Sequence, residues 1–336
     1  MKPVIFSLSG LSLTPEECAF FRACEPAGYI LFKHNIASRD QLRALTDDLR
    51  AVSGRDALPI LIDQEGGRVQ RMGLPEWPEF PSGAQFAALY ARAPMSAIEA
   101  ARANAEAIAL TLSDVRISVN CAPVLDIRTT STHDAIGDRS YGGTAMQVAS
   151  LGRAVLDGLH SGGVVGVIKH LPGQGRALVD SHDQLPIVTA SAAELEDDTG
   201  AFKRLKGAFI GMTGHVRFDA WDKEHCATLS PTIIQDIIRG QIGFDGLLLS
   251  DDLAMKALTG SAAEKACAAV KAGCDIALNC WGALEEQETV ANALPDISEV
   301  SRKRLDRAMA SAPAPKAVDK IADLIAKRDA LLSYAA

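Results

Sequence analysis

Residues 164–170 read Val-Val-Gly-Val-Ile-Lys-His, and the way this run is built and ended decides the fold. Its apolar residues are continuous rather than alternating. Continuous runs of this kind suit a parallel strand covered on both faces, whereas alternation marks a sheet with one wet face. The run then stops abruptly in a lysine and a histidine. Seven further apolar or β-branched runs repeat the design, at residues 4–8, 29–32, 59–63, 117–124, 209–215, 247–251 and 275–280, with helix-like segments between them. Strand followed by helix, eight times over, predicts an α/β protein closed into a single (β/α)8 TIM barrel. A doubly wound open sheet is the alternative. The count of eight depends on accepting residues 4–8, short and terminal, as the first strand.

The segments between the runs carry helix punctuation. Thr14-Pro15-Glu16-Glu17 supplies an N-cap, a proline at the first helical position and a carboxylate three residues after the cap. Ser96–Glu99 and Ser191–Glu194 repeat that spacing before further helix-forming stretches. Ser230-Pro231 opens another helix, which Gly240 or Gly243 closes. Residues 312–316, rich in alanine and proline, introduce a final helical stretch to residue 336. No low-complexity linker or close repeat divides the chain, so residues 1–336 are expected to form one domain.

The 336 residues are 48% hydrophobic and 23% charged, the balance of a folded protein with a large core. The formal net charge of −8, with basic residues scattered among acidic ones, argues against nucleic acid as a partner. Seven cysteines without a CxxC pair suit free thiols in a reducing compartment. Cys121, Cys274 and Cys280 lie in strand-like runs, where a thiol packs as a small apolar group. The opening MKPVIFSLSGLSLTPEE reads as a strand and a helix rather than as a leader, and no apolar run reaches transmembrane length. These features place the protein in the cytoplasm, without a membrane partner. A monomer is expected, since no coiled coil or apolar surface stripe is legible.

Polar residues gather where the apolar runs stop: Lys33-His34-Asn35, Asp63-Gln64-Glu65, Asp126, Lys169-His170, His215 and Asp251-Asp252. In a parallel barrel these are C-terminal strand ends, the rim on which active sites are built. Beyond Lys169-His170 the chain continues LPGQGRALVDSHDQLP, a glycine-rich loop leading to Asp180-Ser181-His182. An aspartate two residues from a histidine can orient the imidazole and favour its protonated form, making a general acid. An Asx-type turn that merely stabilises the loop is the plainer reading of the same residues. At the end of run 247–251, adjacent carboxylates cannot share one pocket without strong repulsion. Asp252 suits the cap of a following helix, 253–258, while Asp251 suits a covalent nucleophile. Gly66-Gly67 permit a tight turn before Arg68 and Arg71, but the Gly-Lys-Ser/Thr of a phosphate loop is missing. Asp63 facing sugar hydroxyls is the more economical reading, with Arg68 in a structural salt bridge.

Taken together, the stretches LIDQEGGRVQRM (61–72), NCAPVLDI (120–127), IGDRSY (136–141), 168–186, 212–215, ATLS (227–230) and GFDGLLLSDDLAM (243–255) resemble the family 3 glycoside hydrolases. Within that family they are similar to the bacterial cytoplasmic β-N-acetylglucosaminidases of peptidoglycan recycling. The lysine-histidine…Asp-Ser-His stretch is the most specific feature of the match. The resemblance implies Asp251 as nucleophile, His182 as proton donor and Asp180 as its dyad partner. It implies sugar contacts from Asp63, Arg71, Arg139, Lys169 and His170, with Met212 in the pocket. The implied reaction is retaining removal of a terminal β-linked N-acetylglucosamine from a muropeptide-type carbohydrate, with no cofactor and no metal. The chain departs from the family pattern at Leu171 and Gln174, where phenylalanine and histidine are common, and at Lys33-His34. Those changes bear on loop packing rather than chemistry.

Three other readings use the same residues. A glycosyl phosphorylase would keep the scaffold and pass the sugar to phosphate. A Schiff-base aldolase would use Lys169 as its amine but has no need of Asp180, His182 and Asp251. A sugar-binding protein would keep the polar rim without a nucleophile. A metal hydrolase finds no HExxH or comparable spacing.

Overall fold

The computed structural model describes residues 1–314 and 318–335. Eight parallel strands close into a barrel in chain order: β1 (Lys2–Phe6), β2 (Pro26–Leu31), β3 (Ile60–Ile62), β4 (Val119–Asn120), β5 (Val165–Leu171), β6 (Ile210–Thr213), β7 (Leu247–Asp252) and β8 (Ile276–Asn279). The terminal run is a strand. It pairs with β2 through Ile5 opposite Gly28, and with β8 through Val4 opposite Ala277. That double pairing excludes the open sheet.

The run at 117–124 contributes only Val119 and Asn120 as regular strand. Pro123 has no N–H to donate to a ladder, and contact with β5 resumes past it, where Leu125 N donates to Lys169 O at 2.6 Å.

Inward-facing Ile5, Leu61, Val167, Ile210, Leu249 and Ile276 fill the barrel interior. Its N-terminal end is closed by the helix Glu299–Ser311, whose Leu305 and Ala308 join the same cluster. Asp275, at the foot of β8, anchors this plug: it accepts from Ser301 Oγ at 2.7 Å, Arg304 Nη1 at 3.1 Å and Arg239 Nη2 at 2.8 Å. The carboxylate is buried and its pairing satisfies it, so this face is structural.

Helices cover the outside. Thr14 caps Pro15–Cys24 in the expected reciprocal manner, Glu17 N to Thr14 Oγ1 at 3.1 Å and Thr14 N to Glu17 Oε2 at 2.9 Å. Ser191 and Glu194 bond in the same way before Leu195–Arg204. Ser96–Glu99 does not start a helix. Pro94 at the first position already opens Pro94–Asp114, so Ser96 lies in the first turn and Glu99 pairs with Arg102. Ser230 Oγ accepts Ile233 N at 3.0 Å ahead of Ile233–Gln241, which winds as a π-helix before Gly243 at φ 75°.

The helix expected at 253–258 is a series of turns. Asp252 Oδ1 accepts Ala254 N at 3.0 Å and Cys280 N at 3.2 Å, and the next helix, Ala262–Ala272, begins only after Ser261. Of the proline- and alanine-rich stretch, residues 315 and 316 lie outside the described residues, as does residue 336. The final helix, Ile321–Leu332, packs on Pro94–Asp114 through Arg328 Nη1 to Asn104 Oδ1 at 3.1 Å. Among the described residues no helix is long and apolar enough to cross a membrane, and Cys121, Cys226, Cys274 and Cys280 are buried free thiols.

If the plug helix completes the core, Leu305→Ala should cost about 2–5 kcal/mol, the usual range for an emptied buried leucine site. Urea unfolding measures this directly. A loss below about 0.5 kcal/mol, the scale of a surface change, would mean the helix is peripheral.

Candidate active site

At the C-terminal rim a cavity of about 730 Å³ is lined by Asp63, Arg71, Arg139, Lys169, His170, Asp180, His182, Met212 and Asp251, together with Glu65, Gln174, Met255 and an aromatic group. All nine residues singled out in the sequence therefore face one space.

The loop after β3 is shaped by Gln64. Its backbone N donates to Asn120 Oδ1 at 3.0 Å, and its Oε1 accepts from Arg71 N and Met72 N at 2.9 and 3.0 Å. Extended backbone alternates its side chains, so Gln64 turns inward while Asp63 and Glu65 point into the mouth. Lys169, only 2% exposed at the end of β5, meets both: Nζ is 3.0 Å from Asp63 Oδ1 and 2.7 Å from Glu65 Oε1. Arg139 grips Glu65 with two nitrogens at 2.9 and 2.8 Å, and Arg71 Nη2 is 3.0 Å from Asp63 Oδ2. Burial alone would raise the Asp63 carboxyl, but the Lys169 ammonium and then Arg71 overcome it and hold it below the ordinary range. Burial likewise opposes Arg139 and Lys169 at Glu65, which is held well below its usual value. Lys169 itself, which burial would push down, is held above the ordinary lysine value by Glu65 and Asp63. A permanently protonated amine is a hydrogen-bond donor and not a Schiff-base nucleophile. Arg68 pairs with Asp138 at 2.8 Å, a salt bridge open to solvent.

A second network holds His170. Asp126, fully buried, accepts His170 Nδ1 at 2.6 Å and Gln174 N at 2.7 Å. The other imidazole nitrogen, Nε2, lies 4.0 Å from Asp251 Oδ2. Asp251 Oδ1 accepts the N–H of Asp252 at 2.8 Å, which fixes the carboxylate and leaves Oδ2 toward the cavity. His215, which the sequence pattern groups with the rim, is not part of it. It is wholly buried, bonded to Thr228 Oγ1 at 2.8 Å and Asp252 O at 2.9 Å, and burial pulls its pKa below the ordinary value.

The loop after β5 carries the Asp-His pair. Leu171 is buried, and Gly175 lies so close to the Ile127 backbone that an added Cβ would sit 1.9 Å from Ile127 O. Leu171 and Gln174 are both buried at the root of this loop. Its far end docks on the β7 exit, where Ala257 N donates to Ser181 O at 3.2 Å and Lys256 N to His182 O at 3.4 Å. His182 Nδ1 is 2.7 Å from Asp180 Oδ1, and that same oxygen accepts the His182 backbone N–H at 2.9 Å. Burial would raise the Asp180 carboxyl, but these two bonds lower it below the ordinary range, so it stays anionic at neutrality. With Nδ1 engaged by a carboxylate, Nε2 is the nitrogen free to exchange a proton. The Asx-type bond and the side-chain pair coexist in one motif.

Glu65 and Asp126 are the two functional partners that the sequence reading left without roles. Both stood in the polar rim clusters. The available signal was that Lys169, Arg139 and His170, if buried, require compensating carboxylates.

Comparison with known proteins fits this geometry. A family model described as the glycosyl hydrolase family 3 N-terminal domain matches residues 17–311. The chain belongs to that family and is a glycoside hydrolase. It is 37% identical over 312 residues to a β-hexosaminidase of Alkalilimnicola ehrlichii, covering 91% of this chain and 88% of that one. A β-hexosaminidase of Bordetella avium is 34% identical over 283 residues, covering 83% and 80%. Among solved structures, NagZ from Neisseria gonorrhoeae in complex with N-trifluoroacetyl-D-glucosamine matches with a TM-score of 0.89 and 29% identity, covering 100% of this chain and 98% of that chain.

The charge network sets a pH test. Asp63 and Glu65 have folded-state values below their unfolded ones, so their contribution to stability is complete above an unfolded value of about 4 and is lost as pH falls through the folded values. In Lys169→Met the buried carboxylates lose that cation, which raises their pKa, and the fold should lose about 3–5 kcal/mol at neutral pH. Protonation relieves the stranded charge, so the gap to wild type should narrow between about pH 7 and about pH 5. Urea unfolding at the two pH values checks this; a gap independent of pH would dismiss the coupling.

Proposed function

We propose that the protein is a retaining β-N-acetylglucosaminidase that removes a terminal β-linked N-acetylglucosamine, with Asp251 as nucleophile and His182, oriented by Asp180, as acid and base. The observation that carries this reading is the union of the three groups at one cavity, with the His182 loop docked by backbone bonds on the strand exit that bears Asp251. The names of the relatives support an amino sugar as substrate.

Asp251 Oδ2 attacks the anomeric carbon while His182 Nε2 gives its proton to the departing glycosidic oxygen. The C1–O bond to the leaving group breaks as the C1–Asp251 ester forms. A water then attacks C1, losing its proton to the now neutral Nε2, and the ester cleaves with net retention. Asp180 keeps the proton on Nδ1 throughout and offsets the charge of the imidazolium. Asp63, Arg71, Arg139, Lys169 and His170 surround the sugar hydroxyls and acetamido group, with Met212 against the ring. Their mutual ion pairs hold the donors in place before substrate arrives, so little reorganisation is needed.

The resemblance to peptidoglycan-recycling enzymes supports muropeptides as the natural substrate, and we place the protein in the cytoplasm as a monomer, all 336 residues forming one domain. The buried thiols suit a reducing compartment. A phosphorylase reading is tested by the same assay, since added inorganic phosphate would then yield a sugar phosphate.

His182→Ala should lose about 10²–10⁴-fold in kcat on a natural disaccharide and less on a nitrophenyl N-acetyl-β-D-glucosaminide, whose leaving group needs little protonation. Equal losses on both substrates would remove His182 from the acid role. A slow fluorinated substrate should label the peptide that contains Asp251, as read by mass spectrometry. A label on any other peptide would overturn the nucleophile.

A further inference from the structure

The cavity has a wall that the proposed chemistry does not use. The charged set comes from the exits of β3 and β5 and from Arg139, and Asp251 from β7. The exits of β2 and β8 contribute aromatic rings instead: Phe32, His34 and Trp281. Trp281 lies 4.8 Å from Phe32 and 5.7 Å from His34, centroid to centroid, and the Phe32 and His34 rings are inclined by only 5° at 6.1 Å. Arg71 covers Phe32 from the sugar side, its guanidinium carbon 5.4 Å from the ring centroid.

The Phe32–His34 side of this wall is held by the His34 and Asn35 side chains. His34 Nε2 meets Leu8 O at 2.9 Å, Asn35 Nδ2 donates to Leu8 O and Gly10 O at 3.1 and 2.8 Å, and Phe32 N donates to Asn35 Oδ1 at 2.9 Å. Behind Trp281 the chain turns at Gly282, whose φ of 129° is a conformation that side chains disfavour, and enters the helix Leu284–Ala293. Yet Trp281 remains 48% exposed, while Trp77 is 4% exposed. A large indole backed by two rings at the mouth of this cavity, half uncovered, is a surface without its partner.

We propose that Trp281, backed by Phe32 and His34, is the platform on which the leaving-group sugar stacks. The inference rests on the glycosidase reading and adds to it the recognition of the second ring. The non-reducing sugar takes the charged wall, whose donors and acceptors match hydroxyls. Its leaving group must lie where His182 can reach the bridging oxygen, toward the open mouth. The cavity provides more space than one monosaccharide fills. A pyranose presents a face of C–H groups, apolar and flat, that covers an indole while its hydroxyls stay in water.

The ratio of kcat/KM for a β-1,4-linked N-acetylglucosamine disaccharide to that for methyl N-acetyl-β-D-glucosaminide reads the platform directly, because the methyl glycoside has no second ring. Trp281→Ala should lower this ratio about five- to tenfold, through KM more than kcat, which is the scale of one lost stacking contact. Trp281→Phe should restore most of it. A ratio within about twofold of wild type in Trp281→Ala would overturn the proposal, whether both rates fell together or neither changed. Wild-type protein inert toward both substrates would instead sink the proposed N-acetylglucosaminidase reading, and the platform with it.

Discussion

A single buried ammonium governs the rim of this barrel. Lys169 is delivered into the mouth by the last residues of a strand that is buried along its whole length, and a charge in that position is tolerable only if paired. Asp63 and Glu65 supply the pairing. Each of these carboxylates then carries its own requirement, met by Arg71 on one and by the two-pronged grip of Arg139 on the other. The sequence of compensations links the exits of β3 and β5 to Arg139. Burial of Lys169 and Glu65 makes them depend on their partners, and the charged wall is thereby set before any ligand enters.

Asp126 performs the same service for the other half of the site with a different economy. One carboxylate, wholly out of water, orients His170 and also receives Gln174 N at the root of the long loop. The direction of His170 Nε2 toward Asp251 and the course of the loop that ends in His182 therefore share one anchor. The far end of that loop is fixed on residues 256 and 257, just past the strand that bears Asp251. Two fixed ends explain how a loop that carries two glycines, Gly173 and Gly175, can still place an imidazole reproducibly.

The barrel was legible because its strands are continuous apolar runs with polar termini, a pattern that two-sided burial imposes on every strand alike. What escaped was local competition. Pro123 cuts the regular part of β4 to two residues, and Pro94 pre-empts Ser96 as a helix start. Asp252 has the chemistry of a helix cap but spends Oδ1 on Ala254 N and Cys280 N, tying β7 to β8 instead of starting a helix. The nine candidate site residues could be gathered from strand ends and from the family resemblance. Glu65 and Asp126 could not be assigned, since a compensating carboxylate is identified only by which cation the fold sets beside it. His215 shows the converse, a polar strand end that burial and two hydrogen bonds commit to structure.

The two groups of the proposed double displacement sit in opposite solvent environments, and the chemistry asks for that division. Asp251 is 7% exposed, its one oxygen held by a backbone N–H. A carboxylate with little water around it keeps less hydration to shed before attacking carbon. The His182 side chain, by contrast, is 63% exposed, and in the proposed reaction it picks up and releases a proton in every turnover. Water at Nε2 allows that exchange, and Asp180 keeps the ring from turning while it occurs. A carboxylic acid in the same open position would rest largely ionised at neutral pH and have no proton to give. An imidazole can serve there without being buried, which is why the acid can ride on a loop while the nucleophile stays on the strand.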